Sequence, residues 1–520
     1  MKNLNRVIAV FLVIAMLLSL CGCGKSVEKI DALVVGTMST IEKATRGEYN
    51  YDVLGCVLTQ MALVSVDENG NPIPQLANFK TDDSKTWEYT IKKGHKWQDG
   101  VELTGEDVIF TLNYLDENEG KSYFKGENAA YETAILSPDK MTVTLVLKYP
   151  NIKAANNLST VSIIPKHIYD GKKMAEVSDD DSRIGCGAYK FEKFDKNAGT
   201  VSFVANKYYI DGAPNVERVI FKTFSNNDTM YLALSHGELD MLYTYSMGIT
   251  PIAIETLSKN ENITLQAITA TNAPAVLGFN NSIAPFNDIN MRQAVKYAID
   301  YEKFKELFSS KYGSTPQEGF VSKGLVGYVE TAPLKRDLQK AKEYLKLCGY
   351  DDSDLVNGYH TKNGKKLSFV LTVNGGKETH VRYGELVKQN LKEIGIDVVL
   401  EAIDNNAYKA KTSNKFSDNN PTHQAAIFGY TAAGMSMMSG LGTIYIDGTH
   451  TVQGGAQVFD SEFKQIVTKM SKSKTLDEYK TYAKECVEYY AKNVPVIALF
   501  LDSSVQAYNK KLSGFVVDGN

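Results

Sequence analysis

A regular exchange between helical and strand periodicity is what most narrows the folds open to this chain. Apolar residues recur at helical spacing over Asn290 to Phe304, Lys335 to Leu347, Lys377 to Ile394 and Thr475 to Lys492. Between them lie the strand-like runs Ile396 to Ile403, Ala425 to Tyr430 and Val496 to Leu501. Helices alternating with strands predict an α/β architecture, because each helix needs a sheet face on which to bury its apolar stripe. Gly349 and Gly395 stand where a helix wants a left-handed residue after its last turn. Thr475 with Glu478 reads as a capping box ahead of Leu476, Tyr479, Ala483, Cys486, Val487 and Tyr490, which share one helical face. Asn493 and Pro495 predict the stop of that helix. The earlier part of the chain is richer in strands. Leu33 to Gly36 opens the body, and Trp87 to Ile91 and Thr142 to Leu147 alternate with the period of two of half-buried strands.

With 520 residues there is material for more than one core. No repeat, low-complexity tract or Pro-rich linker marks a boundary. The formal net charge is -4, and the 57 basic and 61 acidic residues are interspersed, which excludes the basic footprint of a nucleic-acid binder. Lys2 and Arg6 precede an apolar run from Val7 to Leu20, broken only by Ser19 and ending in Leu20-Cys21-Gly22-Cys23. That run is short for a membrane span and reads as an export signal. Leu20 and Gly22 ahead of Cys23 resemble a bacterial lipobox. Residues 1–22 are therefore expected to be a lipoprotein signal peptide, Cys23 the lipid anchor and residues 23–30 a tether. The protein is expected on the outer face of the cytoplasmic membrane, or on the periplasmic side. The absence of a second long apolar run excludes a membrane-spanning permease. Cys56, Cys186, Cys348 and Cys486 are scattered singly and read as small buried hydrophobes, with one disulfide left open; structural zinc is not supported.

Catalytic signatures are incoherent. Ser461 to Lys464 and Ser471 to Lys474 fit S-x-x-K, but Ser417-Asp418-Asn419 precedes both and no K-T-G exists. Neither G-x-S-x-G nor H-E-x-x-H occurs, and Gly24-Lys25-Ser26 lacks the upstream glycine of a phosphate loop. Met435, Met437, Met438, His450 and the upstream His423 offer soft donors for a transition ion. Adaptable apolar lining is the better reading of such methionines. No enzyme activity and no cofactor are expected. Composition adds 30 Tyr and 21 Phe against 2 Trp, amphipathic rings suited to a wet cleft.

Three long stretches carry a family resemblance. WEYTIKKGHKWQDGVELTGEDVIFTL, Trp87 to Leu112, joins an aromatic strand, an Asp-Gly turn and a Glu-Asp-Val helix start. Arg183 to Leu242 contains RIGCGAYKFEKF, NKYYIDGAPNVERVIFKTF and ALSHGELDML. LGFNNSIAPFNDINMRQAVKYAIDYEKF, Leu277 to Phe304, is followed by KAKEYLKLCGY and by VPVIALFLDSSVQAYNKKLSGF. In this order they resemble the family 5 solute-binding proteins of ABC importers, the peptide and nickel receptors. Cys186 and Ala188 depart from the usual Thr and Pro of the family's G-T-G-P-Y strand.

The resemblance implies a two-lobed periplasmic-binding-protein fold of type II with an additional subdomain. Lobe one would combine residues 31–55, 183–270 and 485–520, the extra subdomain would take 56–182 and lobe two 271–484. It also implies ligand capture between the lobes and delivery to ABC transporter permease subunits with their cytoplasmic ATPase subunits. Candidate ligand-binding residues are Met38, Ser39, Tyr243, Tyr245, Asn374, Phe428, Gly429, Tyr430, Thr431, Ala433 and Met435. In the dipeptide-binding branch an acid after a Gly-aromatic turn holds the α-ammonium and an Arg holds the α-carboxylate. Ala433 and Asn374 fall at those two positions here, so both charge clamps are missing. A longer oligopeptide gripped through its backbone is the implied ligand. A metal chelate or another neutral small molecule is the alternative, as is a sensing role without transport.

Overall fold

The computed structural model describes residues 30–67, 71–126, 129–243, 249–267, 272–320, 325–413, 421–431, 456–458 and 460–512. Two large sheets organise it. A seven-stranded sheet runs in the order Ile263–Ala267, Val505–Asn509, Met241–Tyr243, Ile30–Thr37, Val216–Thr223, Thr200–Ala205 and Tyr189–Asp195. A five-stranded sheet runs in the order Asp397–Ile403, Ser368–Asn374, Ala425–Thr431, Asn272–Phe279 and Val496–Asp502. The helix Glu378–Lys392 connects the parallel strands 368–374 and 397–403, the crossover expected from the alternation of periods. Each large sheet is covered on both faces. In the strand 272–279, Ala275, Leu277 and Phe279 join one apolar cluster while Ala273 and Val276 join another. A strand buried on both sides reads as a continuous apolar run, as Val496 to Leu501 does with every residue buried.

A four-stranded antiparallel sheet, Ala77–Lys80, Thr86–Ile91, Thr142–Leu147 and Tyr131–Leu136, forms a third layer with the helix Gly105–Asn118. Trp87, Tyr89, Val143 and Leu145 pack under that helix with Trp97. Thr104 and Asp107 close its capping box, which gives the Glu-Asp-Val segment its reason: the acid is the reciprocal cap. In the Gly-Glu-Leu-Asp segment, Asp240 accepts the backbone N–H of Val34 at 2.8 Å and pairs with Lys511 at 2.8 Å.

The chain passes between the large sheets at two adjacent points. Ala267 pairs with Val505 at the end of one sheet, and Asn272 pairs with Asp502 at the start of the other. The described crossover, Ser503-Ser504, therefore joins the two sheets beside the points where strand 263–267 ends and strand 272–279 begins. This corrects one expected boundary. The segment 485–520 is divided, because strand 496–502 pairs with 272–279 in the five-stranded sheet and only 505–509 reaches the seven-stranded one. The helix Leu476–Asn493 packs on the five-stranded side as well, through Tyr479, Ala483, Cys486, Val487 and Tyr490.

Local punctuation is mostly as read. Gly349 and Gly395 take left-handed φ of 86° and 75°. Thr475 accepts the N–H of Glu478, but the Glu478 carboxylate reaches the N–H of Lys474, one residue before the cap. The helix ends at Asn493, with the β-branched Val494 in the left-handed region at φ 47°. Cys56, Cys186, Cys348 and Cys486 are all free thiols, so the disulfide left open does not form among them.

The four-stranded subdomain meets the five-stranded lobe around Lys153, which is 4% exposed with its ammonium 5.7 Å from the Tyr479 ring centroid. Burial pushes that ammonium down from 10.5 to about 8. Between those values the unfolded chain binds more protons than the native one, so stability rises with pH across the window; below it the charge is buried at constant cost. Lys153→Met is expected to flatten the rise of stability between neutral pH and pH ~10 that the parent shows as this ammonium loses its proton. Urea unfolding of both proteins at the two pH values checks this. A variant whose stability rises as steeply as the parent's would place that titration at another group.

Candidate ligand-binding cleft

Strand directions alone locate a cleft. The strand 30–37 runs parallel to 216–223 and 241–243, and 505–509 runs antiparallel to 241–243 and to 263–267. Thr37, Thr223, Tyr243 and Ala267 consequently emerge on one edge. In the other sheet 368–374 runs parallel to 397–403 and 425–431, while 272–279 opposes 425–431 and 496–502. Asn374, Ile403, Thr431 and Asp502 end on one edge there, beside the start of 272–279. Ser503 and Ser504 join these two edges, so the carboxyl ends of both strand sets meet across this two-residue crossover. Ligands of open α/β sheets bind outside such ends.

On the seven-stranded side, Thr37 is buried and its hydroxyl accepts the N–H of Ser39 at 3.1 Å. The Thr223 hydroxyl donates to the Ser39 carbonyl at 3.1 Å, and the Phe224 N–H donates to the Thr37 carbonyl at 2.8 Å. These bonds pin the turn and leave the Met38 side chain 37% exposed at the edge. Tyr243 is half-buried, with its ring edge-on to Phe221 at 6.1 Å.

On the five-stranded side the expected residues divide. Asn374 is 3% exposed and engaged in its own turn: its Oδ1 accepts the Gly376 N–H at 3.0 Å and its Nδ2 donates to Asn405 at 2.9 Å. Tyr430 pairs with Ala273 and Thr431 with Asn272, which sets both at the edge through their backbones. Phe428 packs away from it, its ring over Gly278, where a Cβ would lie 2.3 Å from the ring, and against the cluster of Phe463 and Tyr490. Gly429 lies against Pro274, whose carbonyl would be 3.2 Å from an added Cβ. Tyr245, Ala433 and Met435 lie outside the described residues, as do Cys23, Met437, Met438 and His450. His423 is described and sits at the opposite end of strand 425–431, 1% exposed, with its Nδ1 3.4 Å from the Lys411 carbonyl. Among the described residues no group of three or more His, Cys, Asp and Glu could hold a metal ion.

Sequence reading missed the feature that shapes this edge. The strand 272–279 is bulged toward both of its neighbours between Asn272 and Val276. Pro274 lies in that stretch and has no N–H for the ladder; a proline inside a strand-like run is the signal that predicts such a break. Bulges next to sites re-aim side chains and end pairing. Nearby carboxylates are already engaged. Asp404 caps the next helix through the N–H groups of Asn406 and Ala407 at 2.9 and 3.1 Å. Asp502 accepts from the Ser310 N–H at 3.0 Å, the Ser310 hydroxyl at 2.7 Å and the Ser503 N–H at 2.9 Å. His380, in the first turn of the helix after Asn374, is held neutral: burial, then the nearby Lys377, pushes it down to about 4.

The family model described as bacterial extracellular solute-binding proteins, family 5 Middle, matches residues 71–450. The chain belongs to this family. The oligopeptide-binding protein AppA of Bacillus subtilis is 24% identical to this solute-binding protein, over 99% of the chain and 96% of AppA. AppA's structure, in complex with a nonapeptide, matches with a TM-score of 0.72 at 21% identity, covering 95% of this chain and 97% of that one. The ABC transporter substrate-binding protein CtaP of Listeria monocytogenes matches with a TM-score of 0.77 at 21% identity, covering 94% and 96%. NikA of Brucella suis, in complex with Fe(III)-EDTA, matches with 0.79 at 17% identity, covering 94% and 97%. The fold is the two-lobed type II periplasmic-binding-protein fold with an additional subdomain.

Proposed function

We propose that this solute-binding protein is a lipid-anchored extracytoplasmic receptor that captures an oligopeptide between its lobes and delivers it to an ABC transporter permease. The observation that carries this reading is the pair of facing carboxyl edges at which Asn374, Asp404 and Asp502 are already engaged, Asn374 and Asp404 in their turns and Asp502 in its loop. A cleft of that kind favours a ligand held along its backbone over a short zwitterion held by its two ends, since a buried charge without a partner costs several kcal/mol, on the order of 3–5. The nonapeptide complex of AppA and the end-to-end similarity to AppA support the same class of ligand. Closure around the ligand would shift the lobes toward the state read by the permease, in proportion to the contacts made only when closed.

Calorimetry with one peptide bearing a free or an acetylated amino terminus tests this. Acetylation is expected to cost less than about tenfold in affinity, or ~1.4 kcal/mol. A larger loss would reveal an amine-binding acid. The peptide should be recovered unaltered, as befits a receptor. A metal chelate is the second reading, since NikA, of the same fold, is seen in complex with Fe(III)-EDTA, and native mass spectrometry of the copurified ligand separates the two. Anchoring rests on the Leu20-Cys21-Gly22-Cys23 run; persistence of palmitate labelling in Cys23→Ala would refute it.

A further inference from the structure

On the outer side of the five-stranded lobe, away from the interlobe edge, a surface cavity of about 400 Å³ opens between the helices Ile289–Ala298, Leu338–Leu347 and Leu476–Asn493. Its volume falls in the range of small-ligand sites. Gln293, 8% exposed, is part of its lining. The Gln293 Nε2 donates to the Lys492 carbonyl at 2.9 Å, while its Oε1 has no hydrogen-bond partner. That orientation is forced, because a carbonyl can only accept and so must face the amide nitrogen. The oxygen is therefore an acceptor in want of a donor. Oε1 is buried in the cavity wall; the terminal amide torsion is broad, so a donor pressing into that wall meets the oxygen by turning the amide, at some expense to the Nε2 bond.

Charge supplies the second half of the argument. Lys296, 4% exposed, pairs with Glu318 at 2.9 Å, and its ammonium lies 4.6 Å from the centroid of Tyr297, which is stacked on Tyr344. Glu318 keeps a second carboxylate oxygen. Exposed Lys492 at the rim has no carboxylate partner among the described residues. A lone cation would meet two lysines, and a lone anion would offer nothing to Gln293. We propose that this cavity is a second ligand site, independent of the interlobe cleft, for a small zwitterion whose N–H donors engage Gln293 Oε1 and Glu318 and whose carboxylate engages Lys492.

Calorimetric titration of the full-length protein with glycine, betaine, methylamine and acetate tests the assignment. Glycine is expected to bind, and betaine, with the same charges but no N–H donor, at least tenfold more weakly; methylamine and acetate should be equally weakened. Lys492→Met, at an exposed position, should leave the melting temperature unchanged and weaken glycine at least tenfold, and Glu318→Gln should weaken it likewise. Absence of glycine binding would overturn the proposal and mark the cavity as a water-filled crevice. Glycine affinity within twofold of the parent in both variants would also overturn it, by placing glycine elsewhere. Betaine binding as tightly as glycine would remove the role given to Gln293.

Discussion

Gly185→Ala is expected to loosen the joint between the seven-stranded lobe and the four-stranded subdomain, at a cost of about 3 kcal/mol or more. A Cβ at Gly185 would lie 1.9 Å from the Thr59 carbonyl oxygen and 2.8 Å from the Gln60 amide nitrogen. The obstacle is backbone and cannot rotate away. It is also held: the Thr59 carbonyl accepts the Gly187 N–H at 2.8 Å, and the Thr59 N–H donates to Gly55 at 2.9 Å. Gln98 clamps the same segment from the subdomain, its N–H on the Gly185 carbonyl at 2.9 Å and its amide nitrogen on the Tyr189 carbonyl at 2.8 Å. Thermal unfolding of the ligand-free protein should show the affected transition lowered by roughly 6–10 °C. Gly212→Ala is the control, with open space around it and only the strain of φ 91° to bear, about 1–2 kcal/mol. A Gly185→Ala protein that melts with its parent would mean that the close approach is not a constraint on the fold.

The second large effect is expected at Arg292. It is 8% exposed, donating from one terminal nitrogen to the Phe286 carbonyl at 2.6 Å, and from Nε and the other terminal nitrogen to the Asn493 carbonyl at 3.1 and 2.9 Å. Arg292 and Gln293, adjacent on one helix, thus satisfy the last carbonyls of the helix 476–493, where the chain turns through left-handed Val494. Arg292→Ala strands two carbonyls that accept charge-assisted bonds worth about 1.5–3 kcal/mol each. Part is returned because the guanidinium no longer has to be desolvated, a penalty visible in its depression to about 10. The net expectation is a loss of about 3 kcal/mol, with Arg292→Lys intermediate because an ammonium lacks the fork that reaches both carbonyls. Chemical denaturation measures both variants. A loss below about 1 kcal/mol for Arg292→Ala would show that water caps this helix equally well.

Features written in neighbouring residues were legible. Period, caps and turn formers identified most of the helices, their stops at Gly349, Gly395 and Asn493, and the strands between them, because each depends on residues within a few positions; the run Asn290 to Phe304, expected as one helix, is instead two, Ile289–Ala298 and Tyr301–Phe308, divided at extended Ile299 with Asp300 capping the second. The segment 485–520 was misassigned for the complementary reason. Its first strand is apolar throughout, and nothing local distinguishes the two sheets it could join; pairing with 272–279 decides that. At the cleft, sequence marked Met38, Ser39, Asn374 and Gly429 to Thr431. It did not show that Asn374 and Asp404 are engaged in turns or that Phe428 packs over Gly278.

By itself, then, the sequence determined the element types, their order and the family, since hydrophobic period and turn chemistry act locally and motif order survives without coordinates. The tertiary structure alone decided which strand joins which sheet, why Gly185 must lack a side chain and what Arg292 holds. Those depend on groups 124 and 201 positions apart, Gln60 with Ile184 and Arg292 with Asn493. Such contacts are selected by burial of both faces of a sheet and by satisfaction of buried carbonyls, conditions that exist only once the chain has closed on itself.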